Sequence, residues 1–291
     1  MRYTTRSPAE AVAWQAEVRG RVSRLLKMED LVASAEQIEP GPEEVSSQAH
    51  DAYLLREIEL NSTSTRRMKA VLTLPRSTDG SCPAVVCIHG HGGTRHDVYD
   101  STSIYCGFAT ALAERGCATI AVDVGQHEVY ETGRTLMGER LWDLMRCVDH
   151  LTSLTSVDPA RIGCAGLSLG GEMAMWLGAM DQRIKAAVSS GFLTRMDQME
   201  QDHCMCWKFP GLRELVDYAD IYSLMAPRAL QCQNGLLEEP HGFTVPIARK
   251  ALQEIQVIYE DFGQPENLDF VAHDGGHVID LASLLAFLDR L

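Results

Sequence analysis

The stretch Arg161-Ile162-Gly163-Cys164-Ala165-Gly166-Leu167-Ser168-Leu169-Gly170-Gly171-Glu172-Met173-Ala174-Met175-Trp176-Leu177-Gly178 decides the fold. Residues 161–165 read as a short buried strand and residues 171–178 as a helix. Between them lies a G-x-S-x-G pentapeptide centred on Ser168. A serine on so sharp a strand-to-helix turn is forced out above the end of its sheet. The glycines two positions before and after it let the turn close without side-chain clashes. The helix that follows aims its free N–H groups at an oxygen gaining charge beside the serine. Alone, G-x-S-x-G is a weak signal and also describes an ordinary glycine turn. The strand before it and the helix after it make it a nucleophile elbow.

Outward from the elbow the chain alternates. Strands are predicted at 84–88, 117–122, 161–165, 184–189, 229–233 and 268–271. Helices are predicted at 108–115, 139–154, about 246–259 and 278–291. Such alternation marks a mostly parallel sheet covered by helices on both faces. Residues 53–60 and 67–74 read as two antiparallel strands joined by the polar turn Asn61-Ser62-Thr63-Ser64. The fold class is therefore α/β. Ahead of these strands, Ser7-Pro8 starts a helix in which Ala11, Trp14, Val18, Val22 and Leu25 recur at helical spacing. Glu39-Pro40-Gly41-Pro42 breaks that pattern. The expected division is a helical extension, 1–50, and a catalytic domain, 51–291. The extension suits packing, or contact between copies of the chain, better than catalysis.

At 291 residues the chain can bury one full core. Its formal net charge of −14 argues against nucleic acid and anionic membranes as partners. No stretch is apolar for long enough to span a bilayer, and the N-terminus has no apolar signal core. A cytoplasmic location is the default. The nine cysteines are scattered and odd in number, so a disulfide framework is not expected.

A serine hydroxyl at neutral pH needs a base within hydrogen-bond reach, and the base needs a third group to orient it. Behind a nucleophile elbow these follow in the order serine, acid, histidine. His277, in His273-Asp274-Gly275-Gly276-His277, lies between the last strand and the last helix and is preferred to His273 as the base. After strand 229–233 the chain reads Asn234-Gly235-Leu236-Leu237-Glu238-Glu239-Pro240. Glu238 is the expected acid, Glu239 its rival, with Asp197 and Asp202 as fallbacks on the preceding loop. Oxyanion donors are expected from the backbone of Leu169 and from His91 or Gly92, in His89-Gly90-His91-Gly92-Gly93. His203-Cys204-Met205-Cys206-Trp207 falls in a segment, 192–211, read as an insertion over the pocket. His203, Cys204, Cys206 and Trp207 are expected to shape the substrate site. As metal ligands these residues stand too close together for ordinary zinc spacing, and neither a metal nor a cofactor is expected.

These motifs together resemble the α/β-hydrolase superfamily, in its acetyl xylan esterase and dienelactone-hydrolase-like branch. The resemblance rests on His89-Gly90-His91-Gly92-Gly93-Thr94, Arg140-Leu141-Trp142-Asp143-Leu144-Met145-Arg146, Gly166-Leu167-Ser168-Leu169-Gly170-Gly171, the His203-Cys204-Met205-Cys206 region and Ala226-Pro227-Arg228-Ala229-Leu230. It covers roughly residues 50–291. It implies a serine esterase preferring small acyl groups, often on sugars. Ser168 and His277 match the family motifs. Glu238 stands where the family usually shows Asp, and a serine in place of cysteine argues against dienelactone hydrolase activity. The expected partner is a small-molecule ester. The rival readings are a prolyl-oligopeptidase-type peptidase, disfavoured because no propeller-sized N-terminal domain is present, and a non-catalytic binding protein, which would need neither Ser168 nor His277.

Overall fold

The computed structural model describes residues 1–77 and 80–291. Short runs of Ala, Val, Ile and Cys, bounded by turns, form the central strands of the sheet, which are buried on both faces. In chain order the strands are β1 (Glu43–Ala49), β2 (Tyr53–Asn61), β3 (Arg67–Pro75), β4 (Cys82–Ile88), β5 (Ala118–Val122), β6 (Val157–Leu167), β7 (Ile184–Ser190), β8 (Ala229–Gly235) and β9 (Leu268–His273). Among the described residues they make one sheet in the order β1-β2-β3-β5-β4-β6-β7-β8-β9. The pairs from β1 to β5 are antiparallel. Those from β5 through β4 to β9 are parallel.

The helices are α1 (Pro8–Leu26), α2 (Glu29–Ser34), α3 (Phe108–Glu114), α4 (Leu136–Ser153), α5 (Leu169–Met180), α6 (Met196–Met199), α7 (Leu212–Leu215), α8 (Tyr218–Ser223), α9 (Val245–Asp261) and α10 (Leu281–Leu288). Side chains alternate across a strand, so the sheet divides the core in two. Ala84, Val86, Ile88 and Cys164 pack with α1, α4, α5 and α9. Val85, Cys87, Ala165 and Leu167 pack with α3 and α10 on the other face. No helix among the described residues is long and apolar enough to cross a membrane.

The sequence reading of 1–50 as helical needs correction. Helical structure ends at Gln37, and Glu43–Ala49 pairs with β2 as an edge strand. Every residue of β1 is exposed, so hydrophobic periodicity has nothing to report there. The backbone pairing with β2 forms the strand. α1 is built into the main core: Ala11, Trp14, Val18, Val22 and Leu26 are buried, with Leu26 replacing the anticipated Leu25. Gln15 Nε2 donates to the carbonyls of Ser223 and Ala226 at 2.9 and 2.7 Å. Thr135 Oγ1 donates to the Leu26 carbonyl at 2.9 Å and caps α4 by accepting from the Gly138 N–H. The apolar stripe of α1 is thus covered by its own chain. The final helix also starts later than predicted, at Leu281, because residues 274–280 form the loop that carries His277.

Candidate active site

Ser168 immediately precedes α5, with φ 63° and ψ −123°. A non-glycine residue in that region is strained and is held by its surroundings. The Ser168 N–H donates to the Ser190 carbonyl at 2.9 Å, and the Glu172 N–H donates to the Ser168 carbonyl at 2.9 Å. The flanking glycines explain why the motif needs them. A Cβ at position 170 would stand 2.2 Å from the Ile88 carbonyl oxygen, and one at 166 would stand 2.4 Å from that of Gly170. Leu169 is the first residue of α5, so its N–H lacks an intrahelical partner.

The loop after β4 lies against this turn. A Cβ at Gly90 would be 3.1 Å from the Cβ of Ser168. His89 is fully buried. Its Nε2 accepts from the Val124 N–H at 3.0 Å, so its proton sits on Nδ1, which donates to the Gly90 carbonyl at 2.8 Å. Burial holds the His89 pKa below the ordinary histidine value. His89 therefore shapes the loop as a neutral ring. The Gly90 N–H donates to the Tyr105 hydroxyl at 2.7 Å and the Gly93 N–H to the Gly90 carbonyl at 3.2 Å. The N–H groups of His91 and Gly92 have no protein acceptor among the described residues.

The loops after β8 and β9 are joined by backbone bonds. Leu236 N–H donates to the His273 carbonyl at 2.8 Å, and Leu237 N–H to that of Gly275 at 3.0 Å. Glu238 follows directly. Its Oε1 lies 2.7 Å from His277 Nδ1, the Glu238 side chain being 5% exposed and that of His277 34%. The His277 ring stacks on Phe243, with centroids 5.6 Å apart and planes 21° apart. It also crowds Gly191, where a Cβ would be 2.9 Å from His277 Cε1 and 3.0 Å from Leu167 Cδ1. The imidazole thus stands beside the elbow. The rival groups are engaged elsewhere or exposed. His273 Nδ1 accepts from the Gly275 N–H at 3.2 Å. Glu239 and Asp202 are exposed, and Asp197 lies 3.7 Å from Arg195.

Ser168 and Leu169 open into a cavity of ≈ 60 Å³. His91, His203, Cys204, Cys206 and Trp207 line it together with Glu172, Phe192, Met199 and Phe243. Sequence reasoning did not single out Glu172 or Phe243. Glu172 is one turn beyond Ser168 on α5, and that i, i+4 spacing was the available signal. Burial pushes its carboxyl up to about 7, against the pull of Arg140 and of the 3.4 Å hydrogen bond donated by Trp176 Nε1. Phe243 gave no such signal, since it enters from a loop.

His127, on the loop after β5, also meets this region. One ligating atom from each of His91, His127, Cys204 and Cys206 lies within 4.8 Å of the others. The expectation of no metal considered spacing within 203–207 and beside His89 and His91, and did not bring His127 to either.

A family model described as acetyl xylan esterase (AXE1) matches residues 29–201. The Bacillus subtilis (strain 168) protein named "Putative hydrolase YtaP" is 27% identical over 246 residues, covering 75% of this chain and 80% of that protein. Among solved structures, an acetyl xylan esterase from Paenibacillus sp. R4 superposes with a TM-score of 0.66 at 18% identity, over 92% of this chain and 94% of that one. A glucuronoyl esterase from Solibacter usitatus does so with a TM-score of 0.65 at 15% identity, over 86% and 85%. At such identities the likeness is one of fold, and the fold is that of the α/β-hydrolases.

Proposed function

Because the chain belongs to the acetyl xylan esterase family and is a carboxylic ester hydrolase, we propose that it cleaves small, acetyl-like esters of carbohydrates through Ser168, His277 and Glu238. The observation that carries this reading is the 2.7 Å contact between His277 Nδ1 and Glu238 Oε1 beside the elbow. A carboxylate there keeps the proton on Nδ1 and leaves the Nε2 lone pair free to accept the Ser168 Oγ proton. Oγ then attacks the ester carbonyl. The oxyanion is received by the Leu169 N–H and by that of His91 or Gly92. His277 passes its proton to the leaving alcohol oxygen, and the acyl group stays on Oγ. Water, deprotonated by His277 Nε2, releases the acid and restores Ser168.

The size of the cavity supports a short acyl group. The aromatic walls of Phe192, Trp207 and Phe243 around ≈ 60 Å³ suit an acetyl group and stop a long chain. The carbohydrate part of the proposal is supported by the names of the acetyl xylan and glucuronoyl esterases that share the fold.

A fluorophosphonate probe is expected to label the wild type at Ser168. Ser168→Ala should abolish labelling and lower turnover of p-nitrophenyl acetate by roughly a thousandfold or more while the circular dichroism stays unchanged. Near-normal turnover in that variant would overturn the scheme. Activity across p-nitrophenyl esters should fall as the acyl chain lengthens, and acetylated xylo-oligosaccharides should release acetate.

A further inference from the structure

We propose that His91, His127, Cys204 and Cys206 form a closed, four-coordinate site for a thiophilic divalent ion of the zinc class at the rim of the pocket. Nε2 of His91 lies 3.1 Å from Cys206 Sγ, and Nε2 of His127 lies 3.4 Å from Cys204 Sγ. The two imidazole rings lie close together, with centroids 5.5 Å apart and planes tilted by 36°. All four ligating atoms fall within 4.8 Å of one another. A tetrahedral zinc with Zn–S of about 2.3 Å and Zn–N of about 2.0–2.1 Å has ligand–ligand edges of roughly 3.3–3.8 Å. Two edges are therefore already close to that length. The longer ones need a contraction of roughly 1 Å, which rotation of the exposed His127 and Cys204 side chains supplies.

The site is assembled from three places in the chain. His91 follows β4, His127 follows β5, and both cysteines belong to the segment between β7 and β8. Parallel neighbours β4 and β5 deliver their following loops to the same end of the sheet, which brings the histidines together. A Cys-x-Cys pair is too tight to supply a whole zinc site, but it supplies half of one. Met205 between the cysteines is 44% exposed, so it turns outward while its neighbours turn to the histidines. One His–thiol hydrogen bond would explain one pair. It does not explain two such pairs converging from separate loops.

The chemistry of the set favours a soft ion. Two imidazoles and two thiolates suit zinc, whereas magnesium and calcium take oxygen ligands. Two thiolates balance the charge of a divalent ion. Arg140 supports the set from behind: its Nη1 donates to Cys206 Sγ at 3.5 Å, and its Nη2 donates to the carbonyl of Gln126, next to His127. Outer-shell donors of this kind orient ligands. On binding, each thiol loses its proton to solvent as its sulfur bonds to the ion, and no atom changes oxidation state. Four protein ligands leave no open position, so the ion is structural. It clamps the pocket segment 204–206 onto the loop that carries His91 beside Ser168. His91 would then be fixed from its side chain while its backbone faces the oxyanion.

The test is metal binding by the full chain, which does not depend on ester hydrolysis. Reduced protein, stripped with a chelator, is titrated anaerobically with cobalt(II) chloride. The expected result is one equivalent bound, with a thiolate-to-cobalt charge-transfer band and tetrahedral d–d bands, both bleached by zinc(II) chloride. Protein as isolated should carry about one zinc per chain by mass spectrometry of the metal. Cys204→Ser and His127→Gln, both at exposed positions and checked for folding by circular dichroism, should each weaken binding by more than the roughly 10–100-fold typical of losing an outer-shell partner. His203→Gln, a neighbour outside the set, should keep the cobalt spectrum. A folded wild type without a cobalt–thiolate band would overturn the assignment. So would a band unchanged in both Cys204→Ser and His127→Gln.

Discussion

Glu238→Gln is the most informative single substitution. In the wild type the Glu238 carboxylate is 5% exposed and lies 2.7 Å from His277 Nδ1, so little water competes for the bond. An amide of nearly the same shape can occupy this place in two ways. Turned with its oxygen to the ring, it accepts from Nδ1–H but carries no charge to stabilise the imidazolium. Turned the other way, its NH₂ donates to Nδ1 and drives the proton to Nε2, where it blocks uptake of the Ser168 proton. Loss of the orienting carboxylate should cost on the order of 10³–10⁴ in kcat, or about 4–5.5 kcal/mol of transition-state stabilisation. KM should change little, because Glu238 does not line the cavity. The assay is saturating turnover of p-nitrophenyl acetate, with circular dichroism to confirm folding. Glu239→Gln, at the exposed neighbour, should stay within about twofold of wild type, as surface changes usually do. A Glu238→Gln enzyme keeping a tenth of wild-type turnover would refute the assignment. The reverse ranking of the two variants would move the role to Glu239, and a severe effect of Asp197→Asn or Asp202→Asn alone would move it to the preceding loop.

Two further predictions concern the scaffold. Leu26→Ala empties a fully buried site at the end of α1 and should cost about 2–5 kcal/mol, read as a lower midpoint of one cooperative urea transition. Two separate transitions would mean that the N-terminal helix is not part of the main core. His150 is 3% exposed, neither ring nitrogen has a partner among the described residues, and burial lowers its pKa. The unfolded chain then takes up this proton first, so the fold loses stability as pH falls below the ordinary histidine value of about 6.5. Unfolding free energies at several pH values between neutral and acid should show a smaller acid loss in His150→Leu than in wild type; parallel curves would contradict this.

Much of this protein is legible along the chain, because the decisive signals are local. A period of two or 3.6 needs only neighbouring residues, so the buried parallel strands and the longer helices between them could be read off directly, whereas the short helices α6, α7 and α8 span too few turns to show a period. The elbow is equally local: Gly166 and Gly170 are required by clashes within the turn and with the strand next to it. The order of Ser168, a glutamate and His277 is likewise a property of the linear sequence. Other features needed the fold. β1 is exposed throughout and exists because β2 offers it a backbone edge. Glu238 and Glu239 are indistinguishable as letters, and the pairing of the β8 and β9 loops decides which carboxylate faces the ring. Phe243 against His277, and His127 against Cys204, are contacts between loops far apart in sequence. Their meeting depends on the sheet order, in which β5 pairs with both β3 and β4, and no spacing along the chain encodes that order.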